Sequence, residues 1–440
     1  MIRCMVVFLL TLFPALAQNP VLRLDMKRAV EIALAPDGNS RVQLAKEQIR
    51  QAQSRSAEAR AALLPDFEGY VSDQSETANL GAFGISFKLP IPGFQIPRFV
   101  GPFDVFDARA TVNANVFDFS AIRSFQAART EIRTAKAERN NADDQVAGLA
   151  ARAYLAALRA EADLETAKAN VTLAEAVLAL ANHQKNAGTG TGIEVTRAQV
   201  ELANQRQRLL VAENARTQSH LQLLRAMNLD LDTAVELSEA LAYIPVDPLT
   251  VASATAEAIK NRADLRAQQS HEESARLSYS AAKMERLPSV VGFANYGSIG
   301  TGLDNALPTR IYGLSLRVPV FDGGRRDAQR AESMSLVRQE GIRTRDLEQQ
   351  VKLDVRLAAD ALRSADAQVK VAAEGLTLAE NELAQAKRRY EAGVANGLEV
   401  TDAQTRLEQA RDNRVAALFN YNQARLDLGQ AMGTIRSMVQ

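Results

Sequence analysis

The chain has 440 residues, 52 basic side chains against 52 acidic ones, no tryptophan and a single cysteine, Cys4. A net charge of zero removes the electrostatic footprint of a nucleic-acid binder, and one cysteine cannot form a disulfide within the chain. Few aromatics and abundant alanine suit long helices packed through small side chains better than a large enzyme core.

The first residues, MIRCMVVFLLTLFPALA, combine a basic start at Arg3, a short apolar run and an Ala15-Leu16-Ala17 end. This pattern predicts a cleavable secretory leader over 1–17, with the mature chain starting at Gln18. The run is too short to span a bilayer. Cys4 precedes it, which is the wrong place for a lipidated N-terminus.

From there the chain is written twice. LLPDFEGY at Leu63 to Tyr70 returns as RLPSVVGF at Arg286 to Phe293, and the Phe117-Asp118 pair returns as Phe321-Asp322. About 70 residues after each pair comes the pattern Gly-x-x-x-Gly-φ-Glu-Val-Thr, at Gly188 to Thr196 and at Gly393 to Thr401. Both copies run on to an Ala-Met pair, Ala226-Met227 and Ala431-Met432. Four landmarks in one order predict a tandem duplication: a first repeat over 18–228, a linker over 229–249 broken by Pro245 and Pro248, and a second repeat over 250–440.

Each repeat reads as helix, strand, loop, strand, very long helix, tight turn and shorter helix. Strands are expected at Asp66 to Ser75, Ala108 to Val116, Ser289 to Ile299 and Arg310 to Val320. In the second of these, Ala108, Ala110, Val112, Ala114 and Val116 share a face opposite Arg109, Thr111, Asn113 and Asn115. In the fourth, Tyr312, Leu314, Leu316, Val318 and Val320 share a face opposite Gly313, Ser315 and Arg317. Period-two alternation of this length marks a strand that is apolar on one side and wet on the other. The proline-rich stretch Phe83 to Phe103 is expected to be an external or rim loop, with Phe99 and Phe103 at an interface.

The long helices carry the clearest periodicity. Ala153, Ala157, Ala160, Leu164, Ala167, Val171, Ala174, Leu178 and Ala181 step by four and three, which is one coiled-coil seam. A second long helix is expected from about Arg326 to Tyr390. Roughly 70 helical residues reach roughly 100 Å, and a hairpin of that length needs partner helices to cover its seams. A rod or tube is the expectation.

Nothing in the sequence has catalytic or cofactor-binding spacing. His183, His220 and His271 form no metal-ligand pattern, so no metal site is expected. Gly188, Gly190 and Gly192 lack the Lys-Ser/Thr and the preceding strand of a phosphate loop. An enzyme therefore ranks below a non-catalytic reading such as a structural or adhesive coiled-coil protein. A fibre, however, should not need amphipathic strand pairs at the same place in both repeats.

Leader, duplication, strand pairs at the LP and FD landmarks, long helices and the repeated glycine turns together resemble the TolC-like outer membrane efflux protein family across essentially the whole mature chain. The resemblance implies a mainly α fold with a small membrane β part. Three chains, each giving four strands, would build one barrel of twelve strands in the outer membrane of a Gram-negative bacterium, continued by a trimeric α-barrel tunnel in the periplasm. It further implies a passive exit duct without cofactors or nucleic acid. The expected partners are two further copies of the chain, outer-membrane lipid, a periplasmic adaptor and an inner-membrane pump or ABC exporter.

On this resemblance the two glycine turns lie at the periplasmic tip. Gly188, Gly192, Gly393 and Gly397 become candidate adaptor contacts. Glu399 and Asp402, spaced i and i+3, match the place of an acidic constriction inside the tunnel. Arg197 replaces the acid in the first repeat, so Glu194 and Arg197 are a candidate tip pairing, with Arg197 either reaching Glu399 or Asp402 on a neighbouring helix to hold the tip closed or forming a surface ion pair worth little. The stretch Ala395-Asn396-Gly397 lacks the basic residue that some relatives carry there, which removes any latch built on it.

Overall fold

The computed structural model describes residues 21–82, 84, 99–246 and 250–439. The expected leader, 1–17, and most of the proline-rich loop lie outside the described residues. In chain order the elements are β1 (Leu22–Leu24), α1 (Met26–Leu34), α2 (Ser40–Ala61), β2 (Asp66–Asn79), β3 (Phe99–Phe117), α3 (Phe119–Asn186) and α4 (Gly192–Met227). There follow β4 (Val235–Leu237), α5 (Val251–Asn261), α6 (Ala263–Met284), β5 (Ser289–Gly300), β6 (Leu307–Arg317), α7 (Arg325–Glu391), α8 (Gly397–Ala431) and α9 (Ile435–Val439). The long helices α3 and α7, at 68 and 67 residues, have the length read from the sequence.

Two compact units are distinguished. One comprises the described residues of Met1–Ala45, Asn140–Ala263 and Gln349–Gln440, the other Lys46–Arg139 and Asp264–Glu348. Each unit draws on both repeats.

The second unit carries a four-stranded antiparallel sheet in the order β2-β3-β5-β6. Directly opposed residues point to the same side of a sheet, so the register assigns the faces. Phe67 opposes Val112, Val112 opposes Ala294 and Ala294 opposes Tyr312. Ala114, Gly292 and Leu314 form the neighbouring row. One face is thus apolar across all four strands, and its large side chains are open: Phe67 is 75%, Tyr312 77% and Leu314 73% exposed. The other face carries Glu68, Thr111 and Asn295 in register. β2 and β6 are the edge strands.

One expectation is corrected here. Phe99 and Phe103 lie in β3, opposite Asn79 and Glu76, and not in a loop. A shift of register between Glu76 and Ala78 lets the strand pass Pro102, which has no N–H to give to the ladder.

In the first unit, α3, α4, α7 and α8 pack through small residues. Of the seam read from the sequence, Ala157, Ala160, Leu164, Ala167, Ala174 and Ala181 are buried and Ala153, Val171 and Leu178 half-buried. Alanine at these positions adds no side-chain entropy cost and leaves the backbones close. A separate core gathers Leu24, Val30, Tyr154, Leu223, Leu224, Met227, Leu426 and Ile435. Here the linker is not structureless: β4 pairs in parallel with β1, Leu22 opposite Val235, and the Tyr154 hydroxyl donates to the Leu24 carbonyl at 3.0 Å.

Candidate functional site

Both glycine turns reverse the chain by the same local chemistry. Gly188 and Gly393 have φ of +76° and +73°, the left-handed region that L side chains avoid. Each therefore ends its helix: the Gly188 N–H donates to the Lys185 carbonyl and the Gly393 N–H to that of Tyr390, both at 3.0 Å. Gly192 and Gly397 do something different, opening α4 and α8. Thr191 and Glu194 form a capping box, in which the Thr191 N–H donates to Glu194 Oε2 at 2.9 Å. At the other turn Asn396 is the cap, its side chain accepting from the Glu399 N–H.

The two turns are joined. Glu194 Oε1 accepts from the Gly397 N–H at 3.0 Å, so one carboxylate binds a free N–H of each helix start. A Cβ on Gly397 would come to 3.3 Å from that oxygen, which explains why the second glycine suits this turn. The Thr191 and Gly397 N–H groups hold the Glu194 carboxyl below the usual carboxylate range, with a further small contribution from the charge of Arg197. Arg197 itself is exposed.

Glu399 is half-buried and Asp402 exposed. Glu399 Oε1 lies 2.9 Å from Arg389 Nε, at the end of α7. The charge of Glu399 is thus matched within one chain, while among the described residues no ion pair reaches Asp402. Arg389 was not singled out from the sequence; its signal is the basic pair Arg388-Arg389 in the last turn of a helix that ends at a glycine. Beneath the turns, Val195, Ala198, Leu383, Ala386, Tyr390, Val400, Ala403 and Leu407 form a closed apolar cluster that fixes their positions.

A second constellation lies on the polar face of the sheet. Arg109 clamps Asp107 through two bonds of 2.7 and 2.5 Å, and the Tyr70 hydroxyl donates to the same carboxylate at 3.1 Å. The Arg109 guanidinium stands 5.7 Å from the Tyr70 ring centre. Opposite Arg109 in the register is Gly297, where a Cβ would overlap the Arg109 Cβ and the Ala108 carbonyl oxygen. Among the described residues no group of His, Cys, Asp and Glu could hold a metal ion.

A sheet with one open apolar face and two unpaired edges, borne with long helical hairpins and duplicated throughout, matches a known family. The sequence model of the outer membrane efflux protein family covers residues 32–229 and 254–434. The chain belongs to the outer membrane efflux protein family. Among family relatives, the pyoverdine export outer membrane protein OpmQ of Pseudomonas putida is 25% identical over 91% of this chain and 84% of its own length. The toluene efflux pump outer membrane protein TtgF, also of Pseudomonas putida, is 26% identical over 74% of this chain and 69% of its own. The fold agrees: the crystal structure of the outer membrane protein VceC of Vibrio cholerae superposes with a TM-score of 0.78 at 20% identity, over 93% of this chain and 96% of that one.

Proposed function

We propose that this efflux-family chain is the outer-membrane exit duct of a tripartite efflux or type I secretion system. Cargo handed over by an inner-membrane transporter and a periplasmic adaptor passes through it passively. The observation that carries the reading is the sheet: an apolar face continuous over four strands, with β2 and β6 each lacking a partner on one side. In lipid every backbone polar group needs a partner, so strands cross a membrane only in a closed barrel. Four strands cannot close one, whereas three copies joined β6 to β2 can. Exposed Leu357, Val371 and Leu378, spaced by fourteen and seven residues on α7, supply an unfilled helical seam for the same neighbouring copies.

In this reading the repeats 18–228 and 250–440 are joined at the linker 229–249. Gly188, Gly192, Gly393 and Gly397 form the surface the adaptor grips, and Glu194 with Arg197 ties the tip turns. Three copies of Glu399 and Asp402 form an acidic constriction, and crowded carboxylates at a narrow place favour cations. The chain supplies a path and no chemistry of its own.

Recordings in planar bilayers test the constriction. Glu399→Gln with Asp402→Asn should weaken cation selectivity and block by multivalent cations while the trimer still forms. Unchanged selectivity and block would remove the acidic gate. Deleting the gene where no redundant duct exists should stop export while cargo synthesis and pump persist, and normal export there would remove the duct reading itself.

A further inference from the structure

Glu408 is a carboxylate in the wrong solvent. It lies on α8, 3% exposed, between helices that otherwise pack through alanine, leucine and valine. Its Oε1 accepts from Gln205 Nε2 at 2.8 Å and from Gln404 Nε2 at 3.4 Å, and its Oε2 from Arg208 Nη1 at 3.0 Å. Gln205 Nε2 also donates to Glu201 Oε1 at 2.6 Å, so both of its hydrogens are spent. Gln205 and Gln404 are buried too, and the amide oxygen of each has no hydrogen-bond partner.

The cluster is therefore short of donors. Two buried amide oxygens go unsatisfied beside a carboxylate that can only accept while it is ionised. One added proton changes this. A protonated Glu408 carries an O–H, and a turn of the Gln404 amide, whose nitrogen is held only by the long bond to Glu408, brings an oxygen to receive it while Gln205 keeps its bond to Glu201.

We propose that Glu408, with Gln205 and Gln404, is a proton-binding site that fastens α8 to α4, and so the second repeat to the first, when the proton is on. Burial pushes the Glu408 carboxyl up, and the charge of Glu201 pushes it the same way. The Gln205 and Gln404 bonds and the Arg208 charge pull it down, but the Arg208 side chain is 60% exposed and its field is screened by water. Among the described residues the charged groups acting on Glu408 are Glu201 and Arg208, both on α4.

The sign follows from linkage. Below the ordinary glutamate range the carboxyl is protonated in both the folded and unfolded chain, and its contribution to the seam is complete. As pH rises through the elevated folded value, a buried carboxylate is left ionised and that contribution is lost. Protonation fastens the seam and ionisation loosens it. The site does not depend on the duct reading.

Hydrogen exchange on the full-length protein in detergent, followed over residues 404–411 from about pH 4 to about pH 8 and corrected for intrinsic rates, tests the site. In the wild type, opening of this segment should rise several-fold across the interval above the ordinary glutamate range. Glu408→Gln, which has the shape of the protonated form, should be flat with pH. Arg208→Ala, a change at the surface, should move the transition to higher pH because it removes a cation that favours the carboxylate. Infrared titration should show a protonated carboxylic-acid band persisting above the ordinary range and absent from Glu408→Gln. Equal pH profiles in wild type and Glu408→Gln, an unmoved transition in Arg208→Ala, or a transition that vanishes when multivalent cations are chelated would each overturn the assignment. Conductance is not read, so failure of the duct reading leaves the result intact.

Discussion

Replacing Glu194 by alanine removes three bonds at once, those from the Thr191 N–H and hydroxyl inside α4's capping box and one from the Gly397 N–H of the opposite turn. A hydrogen bond to a charged group contributes about 1.5–3 kcal/mol, but Glu194 is only half-buried and water offsets part of this. An N-terminal cap contributes about 1 kcal/mol, so about 1 kcal/mol for each bond is a fair working value. At 1.36 kcal/mol per factor of ten, about 1 kcal/mol corresponds to roughly fivefold faster opening. Amide exchange resolved at Gly397 should accelerate by that factor in Glu194→Ala, while Val400, buried below the turn, should exchange as before. pH supplies a second arm. The carboxyl is held below its usual range, so its contribution is present above the unfolded-state value and is lost as pH falls through the lower folded one. Protection at Gly397 should drop in acid in the wild type and stay level in the variant. An unchanged Gly397 rate at neutral pH would refute the cross-turn bond as a stabilising element.

Gly297→Ala should overlap Arg109 and the Ala108 carbonyl and destabilise the sheet by about 1–3 kcal/mol or more, read as loss of heat-modifiable oligomer, whereas Gly69→Ala, with nothing within 4 Å, should assemble normally. Leu314→Arg on the apolar face should cost up to about 2–4 kcal/mol in a bilayer and deplete the protein from outer-membrane fractions; Ile311→Arg, one strand position of opposite parity, should not. Arg389→Ala breaks an exposed ion pair and should change the melting temperature little, about 0–1 kcal/mol, yet raise cation selectivity in bilayers by freeing Glu399. Selectivity unmoved by Arg389→Ala would separate Glu399 from the conduction path.

Long periodic elements were legible because burial imposes a regular pattern on many residues. The alanine seam from Ala153 to Ala181 and the alternation of Tyr312, Leu314 and Leu316 are each decided by one repeated choice of side, and the helix and sheet follow. The turns were legible as turns because glycine takes the angles found at Gly188 and Gly393 far more readily than other residues. Contacts between distant segments were not. Nothing local to Glu194 names Gly397 as its partner, and nothing local to Glu408 names Gln205, 203 positions earlier. β1 and β4 are three residues each, too short for alternation to register, and exist because each pairs with the other. The proline-rich stretch Phe83 to Phe103 reads as a loop and takes Phe99 and Phe103 with it, while the register shift that accommodates Pro102 in a strand depends on residues of β2.

The two unpaired edges of the sheet also have a genetic consequence. If three copies must join β6 to β2 around a ring, a chain with a spoiled edge can still enter the ring through its sound one and leave it unclosed. In a cell making equal amounts of intact and edge-defective chains, random mixing leaves roughly one ring in eight wholly intact. An edge lesion in β2 or β6 should therefore behave as a dominant trait in a merodiploid, whereas a lesion that unfolds the chain before it meets its fellows should be recessive.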